Sequence, residues 1–121
     1  MFSHIHFQSL PATDVTRARD FDYDKMGFTV ERDEAYGEGG WIFLALPDAH
    51  TMLQFDQVAT IAPTQKPERV LVTKDIDAAC ATLRAKSVSI HLGPDNAPWN
   101  PGTRWAMIHD SEGNLVLIQT V

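Results

Sequence analysis

The residues best equipped for chemistry are five histidines, sixteen carboxylates and three tryptophans, and their spacing limits what they could do together. His4 and His6 stand two apart in a stretch that reads as a strand, where they would share a face and form half of a zinc site. No cysteine or third clustered histidine is nearby, and two partly exposed strand histidines account for the pair without a metal. Asp20, Asp22 and Asp24, followed by Glu31, mimic the ligand spacing of a calcium loop. Lys25 stands where that loop needs glycine, and the end of a solvated helix running into Gly27-Phe28 explains the same residues. His91 and His109 fall at the ends of predicted strands, where a cleft-facing imidazole would serve as a general base and an outward one would be a surface residue. No Gly-x-Ser-x-Gly elbow occurs, and Cys80, in Ala78-Ala79-Cys80-Ala81, sits inside a predicted helix as a small buried residue. Trp41 and Trp105 are expected to pack, whereas Trp99, in the loop Asn96-Ala-Pro-Trp-Asn-Pro-Gly102, suits a ligand lid or a packing contact equally.

The elements that must position these side chains occur twice. Phe2 to Leu10 reads as a strand ending at Pro11. Asp14 caps a helix whose Val15, Ala18, Phe21 and Met26 lie near one face, and Gly27 ends it. Phe28 to Arg32 and Trp41 to Leu46 read as strands around a turn at Tyr36-Gly-Glu-Gly-Gly40, and Thr51 to Phe55 follows the Pro47-Asp48-Ala49-His50 turn. After a proline-bearing linker, Arg69 to Val72 is extended, Asp75 caps a helix over Ile76 to Lys86, and Val88 to Leu92 is extended. A long loop from Gly93-Pro94 to Pro101-Gly102 precedes strands at Arg104 to His109 and Leu115 to Thr120, joined by the turn Asp110-Ser-Glu-Gly-Asn114. A shift of about sixty residues lays Asp14-Val15 on Asp75-Ile76, and three more lay Pro47-Asp48 on Asp110-Ser111 and Gln54 on Leu117. The expected architecture is α+β: two βαβββ modules in tandem, over about residues 1–57 and 68–121 with a linker between, forming a curled mixed sheet around a central cleft with helices outside.

Composition narrows the functions available. A 44% hydrophobic and 21% charged chain has enough apolar surface to fold as one ordinary domain. A formal charge of −6 without a basic cluster argues against a nucleic-acid partner. No basic stretch precedes an apolar run at the N-terminus, and no segment approaches the ~20 apolar residues of a membrane span, so a cytoplasmic protein without membrane contact is expected. The single cysteine permits no internal disulfide, which suits a reducing compartment.

Ala12-Thr-Asp-Val-Thr-Arg-Ala-Arg-Asp-Phe21 with Asp24-Lys-Met-Gly-Phe28, and later Asp110-Ser-Glu-Gly-Asn-Leu115, resemble the helix with its "LGF" strand start and the "DPDGN" turn of the vicinal-oxygen-chelate superfamily, the glyoxalase, bleomycin-resistance and dioxygenase relatives. The resemblance implies the fold already expected, and it covers enzymes as well as metal-free antibiotic-binding proteins, so it does not by itself choose a function. Relatives with metal place a ligand on the first strand of each half and a glutamate on the last; the corresponding positions are Phe7 and Glu68, and Gln54 and Leu117. Phe7 and Leu117 have no donor atom and Gln54 is a weak neutral one, so the metal site is expected to be dismantled and no cofactor is expected. A one-residue bulge in the first strand would bring His6 inward instead, giving the alternative of a divalent metal on His6, Gln54 and Glu68. Relatives commonly carry tyrosine where Asp22 stands.

The expected function is therefore small-molecule binding, including sequestration of a planar or antibiotic-like ligand, by a homodimer. The cleft would be lined by Phe7, Met52, Gln54, Glu68, Trp99, Trp105 and Leu117. The alternatives are a metal-dependent lyase, isomerase or dioxygenase of the same superfamily, and a regulatory interaction module.

Overall fold

A computed structural model describes every residue except Glu38, which is part of the expected Tyr36–Gly40 turn. The chain divides into two compact units, Met1–Ala62 and Pro63–Val121. The first contains β1 (Phe7–Ala12), α1 (Val15–Lys25), β2 (Thr29–Glu34), β3 (Trp41–Ala45) and β4 (Met52–Gln57). The second contains β5 (Arg69–Val72), α2 (Ile76–Ala85), β6 (Leu92–Asn96), β7 (Arg104–His109) and β8 (Leu115–Gln119). Each unit builds one four-stranded mixed sheet, ordered β1-β4-β3-β2 and β5-β8-β7-β6, with the first and last strands parallel and the other pairs antiparallel. The two orders are the same arrangement, so the repeat read from the capping aspartates and turns is a repeat of topology.

The helices start where their caps require. Asp14 and Asp75 are extended, and each side chain accepts from the backbone N–H three residues on, Arg17 and Ala78, both at 3.0 Å. Val15 and Ala18 of α1 are buried with the β-strand residues Leu10, Ala12, Ile42, Leu44 and Phe55. Ile76, Cys80 and Leu83 of α2 are buried with Ala106, Ile108, Val116 and Ile118. These alternate strand residues form the helix-facing side of each sheet, and the intervening residues form a second, helix-free side.

The observed strand limits depart most from the expected ones at two places, the others shifting by at most two residues. β1 starts at Phe7, not Phe2, and runs through Pro11 to Ala12. Pro11 is tolerated because β1 borders only β4, leaving one side without a ladder in which a missing N–H would be felt. In the second unit, residues 88–90 are not in a strand, and β6 instead runs through Gly93-Pro94 to Asn96, a region read as loop. Val88 is withdrawn from the ladder because its N–H donates to the Leu83 carbonyl at 2.9 Å, while Ser87 N–H donates to Arg84 at 3.0 Å, a Schellman closure of α2. The Gly-Pro pair that signals a break in sequence forms a bulge instead, with the register shifting between Leu92 and Asp95 around a cis Gly93–Pro94 bond.

Gly93 is essential to that bulge. Its φ is +79°, and a Cβ there would lie 2.7 Å from the Trp105 carbonyl oxygen and 3.1 Å from Ala106 Cα. Gly93→Ala is expected to cost at least about 2 kcal/mol, since both the left-handed backbone and the close approach to β7 are penalised. Thermal unfolding checks this: a Tm lowered by roughly 6–12 °C is expected, and one within about 2 °C of the unsubstituted protein would refute it.

Cys80 is fully buried on the inner face of α2, and burial pushes its thiol above the ordinary range. The protonated thiol is thus the folded form, so any stability tied to it is complete below about pH 8.5 and is lost as the pH rises beyond that. A disulfide reagent at pH 8 should label Cys80 only as fast as urea opens the structure; rapid stoichiometric labelling of the native protein would contradict this placement.

Candidate ligand-binding site

The helix-free side of the first sheet carries a continuous aromatic cluster. It follows from alternation: Trp41 and Phe43 on β3 point to the side opposite Ile42 and Leu44, and Phe7 on β1 stands in register with Met52 on β4. The Phe43 ring lies 5.0 Å from Phe7 and 4.9 Å from Trp41, both edge-on, and Phe7 and Trp41 are 6.1 Å apart. Tyr36 extends the cluster, its ring 5.5 Å from Trp41. Such tilted contacts match the positive edge of one ring to the negative face of the next.

Beside Trp41 opens a cavity of about 370 Å³ lined by Arg32, Glu34, Ala35, Tyr36 and Trp41. The bulge between Val30 and Arg32 puts Arg32 opposite Phe43 and Glu34 opposite Trp41. Their side chains form an ion pair of 2.9 Å at the rim. Each partner favours the other's charged form: the hydrogen bond from Arg32 holds the Glu34 carboxyl below the usual range, and Glu34 raises Arg32. The rim therefore stays charged at neutral pH, while the aromatic wall is apolar; Tyr36 is 71% exposed and available to an incoming molecule.

Gln54, expected in the cleft, is buried on this side between Ser9 and Phe43. Both ends of its amide are engaged: Ser9 Oγ donates to Oε1 at 2.7 Å, and Nε2 donates to the Phe55 carbonyl at 2.8 Å. His6 precedes β1 and leans on the cluster, with its ring 5.6 Å from Phe7 and 6.3 Å from Phe43. The shared His4–His6 strand face is not formed, because β1 begins after both; His4 instead meets His50 at 5.2 Å. The calcium-like aspartates lie on α1, where Asp22 is buried and Asp20 is paired with Arg19, so they radiate from a helix and do not converge from a loop.

In the second unit, Trp105 and Met107 share the helix-free side of β7, with Met107 opposite Leu117 and Leu117 opposite Val70. Trp99 is 55% exposed and its ring lies 5.9 Å from Trp105, whose indole N–H donates to the Asn96 carbonyl at 3.3 Å. Glu68 is exposed immediately before β5, with its backbone N–H held by the Leu115 carbonyl at 2.8 Å. The Asp110 turn is a structural device: Asp110 is buried, accepts from the Glu112 and Asn114 N–H groups, both at 2.9 Å, and faces Arg69 at 3.7 Å.

Phe7, Met52 and Gln54, expected in the cleft, lie on the helix-free side of the first sheet; Tyr36, Phe43, Arg32 and Glu34, which surround Trp41, were not among the expected lining residues. Alternation of Trp41 and Phe43 was a usable signal for Phe43; the bulge that aligns Arg32 and Glu34 with the cluster had none.

Of the four positions that resemble the ligand positions of metal-binding relatives, Glu68 alone offers an anionic donor. Phe7 and Leu117 offer hydrocarbon, and Gln54 is committed to Ser9 and the backbone. Among the described residues no group of three or more histidine, cysteine or acidic side chains is placed to hold a metal.

Two βαβββ units, each with one sheet and one helix, define a class of paired-module α+β proteins. A sequence profile of the Glyoxalase/Bleomycin resistance protein/Dioxygenase superfamily matches residues 2–118, and the chain belongs to that superfamily. It is similar to TnmS3, an antibiotic binding protein from Streptomyces sp. CB03234, at 32% identity and a TM-score of 0.84, over 98% of this chain and 96% of that one. A glyoxalase/bleomycin resistance protein from the same organism is also 32% identical, with a TM-score of 0.76 over 95% and 98% of the two chains. A superfamily member from Sphaerobacter thermophilus DSM 20745 shares the fold at 23% identity and a TM-score of 0.85, over 99% and 98% of the chains. No curated protein matches the chain.

Proposed function

We propose that this protein binds and sequesters a planar, antibiotic-like small molecule, without needing a metal. The observation that carries the reading is the aromatic wall of Phe7, Phe43, Trp41 and Tyr36 beside a cavity of about 370 Å³. Cavities of that size, largely apolar with a few oriented polar groups, suit small organic ligands. A flat ring system would stack on Trp41 and Tyr36, while Arg32 and Glu34 would orient its polar substituents. The net charge of −6 favours a neutral or cationic ligand over an anionic one. The 32% identical TnmS3, an antibiotic binding protein, supports the same class of ligand.

The test uses two probes: daunorubicin, a planar tetracycle with an amine, and bleomycin. Calorimetric titration of either, before and after dialysis against EDTA, should give saturable binding in the micromolar range, about −8 kcal/mol, with the same affinity in both states. No saturable binding of either probe up to about 1 mM, roughly −4 kcal/mol, would overturn the proposal. Binding or turnover that vanishes with EDTA and returns with added metal would transfer the protein to the superfamily's enzymes.

A further inference from the structure

The second unit holds a pair of histidines that the proposed binding site does not use. His109 closes β7, and His91 directly precedes β6. Their imidazole rings lie side by side, with centroids 4.4 Å apart and planes inclined by 55°. Both residues are exposed, and among the described residues neither ring makes a side-chain hydrogen bond or an ion pair. The backbone beneath them is held: His91 N–H donates to the Met107 carbonyl at 2.8 Å, and β7 is paired on its other side with β8 through His109 and Leu115. Two imidazoles are thus presented together from adjoining segments of one sheet, with their ring nitrogens uncommitted to protein.

We propose that His91 and His109 form a bidentate surface site for a borderline divalent cation, Cu²⁺ or Ni²⁺ ahead of Zn²⁺. The centroid spacing is compatible with a shared ion: with metal–nitrogen bonds of ~2.1 Å and the ring centre about 1.1 Å further, imidazoles meeting at a right angle have centroids about 4.5 Å apart. The large inclination between the rings separates this arrangement from a flat stack. Neutral imidazole suits copper, nickel and zinc, and the order of preference follows the intrinsic affinities of these ions for nitrogen donors. The chain's net negative charge adds a general attraction for a cation. With two protein donors the ion keeps water at its other positions, which leaves them open to an oxygen or nitrogen donor from a second molecule. This site involves none of the positions where metal-binding relatives place ligands, and it stands whether or not the ligand-binding proposal holds.

The experiment is calorimetric titration with CuCl₂ and NiCl₂ of protein carrying no polyhistidine tag. The host is the variant H4A/H6A/H50A, which removes the three histidines of the first unit, including the wider His4–His50 pair at 5.2 Å. One equivalent of Cu²⁺ is expected to bind this host, and His91→Ala or His109→Ala should each weaken it at least about tenfold, the lower end of what even an outer-shell change costs a metal site. Circular dichroism of each variant establishes that the fold is retained. A host that binds no stoichiometric Cu²⁺, or one whose affinity survives either single substitution with a smaller loss, overturns the site.

Discussion

Asp110→Ala is expected to lower the unfolding free energy by about 3–5 kcal/mol, the range seen when one partner of a buried ion pair is removed and the other is left uncompensated. The Asp110 and Arg69 side chains are 2% and 6% exposed, and their charged atoms approach to 3.7 Å. The loss is larger than that of an ion pair alone because the same carboxylate organises the turn. Oδ1 accepts from the backbone N–H groups of Glu112 and Asn114, and Oδ2 accepts from Asn114 Nδ2 at 3.1 Å. Alanine leaves these donors without that acceptor. Against a total stability of about 5–15 kcal/mol, that loss is roughly a third or more of the stability of a typical domain of about 10 kcal/mol. Arg69→Met should cost less, since Asp110 then keeps its three bonds within the turn. The double variant R69M/D110A should cost less than the sum of the single ones. Urea titration followed by far-UV circular dichroism measures all three, and a loss below about 1 kcal/mol for Asp110→Ala would show that the pair is not the anchor described.

The second large effect is on binding. Trp41 touches Phe7, Phe43 and Tyr36 and lines the cavity, so it is the centre of the proposed stacking surface. Trp41→Ala should weaken daunorubicin by about 30-fold or more, the effect of losing a tryptophan worth at least 2 kcal/mol at a binding hot spot. Trp41→Phe keeps a flat ring and should lose less than about fivefold, which separates stacking from a general collapse of the site. Calorimetry is the appropriate readout, because the substitution removes a fluorophore. An affinity for Trp41→Ala within about threefold of the unsubstituted protein, less than 1 kcal/mol, would place the ligand elsewhere, with Trp99 and Trp105 the next surface to test.

Much of the architecture is written locally in the chain. Asp14 and Asp75 announce the two helices because capping depends on a side chain and the backbone N–H three residues later. Arg69 to Val72 and Arg104 to His109 were legible as strands to the residue, and the Asp110–Asn114 turn was legible from its glycine and its Asx-forming aspartate. The duplicated order of these signals implied two modules, and the shared topology of the two sheets bears that out. The misread places are those where a distant partner decides. Pro11 looks like a strand end until β1 is known to be an edge, and Gly93-Pro94 looks like a break until β7 supplies a partner across a bulge.

The site divides in the same way. The sequence by itself determined the fold class, the helix caps, and the absence of donor atoms at Phe7 and Leu117, because residue type and local spacing suffice for each. Tertiary structure alone decided that Tyr36, Trp41, Phe43 and Phe7 form one wall, that Arg32 and Glu34 stand at its rim, and that His91 meets His109. Those groupings depend on strand register, and register is set by pairing between segments far apart in the chain, where a bulge of one residue exchanges the side chains of the two faces.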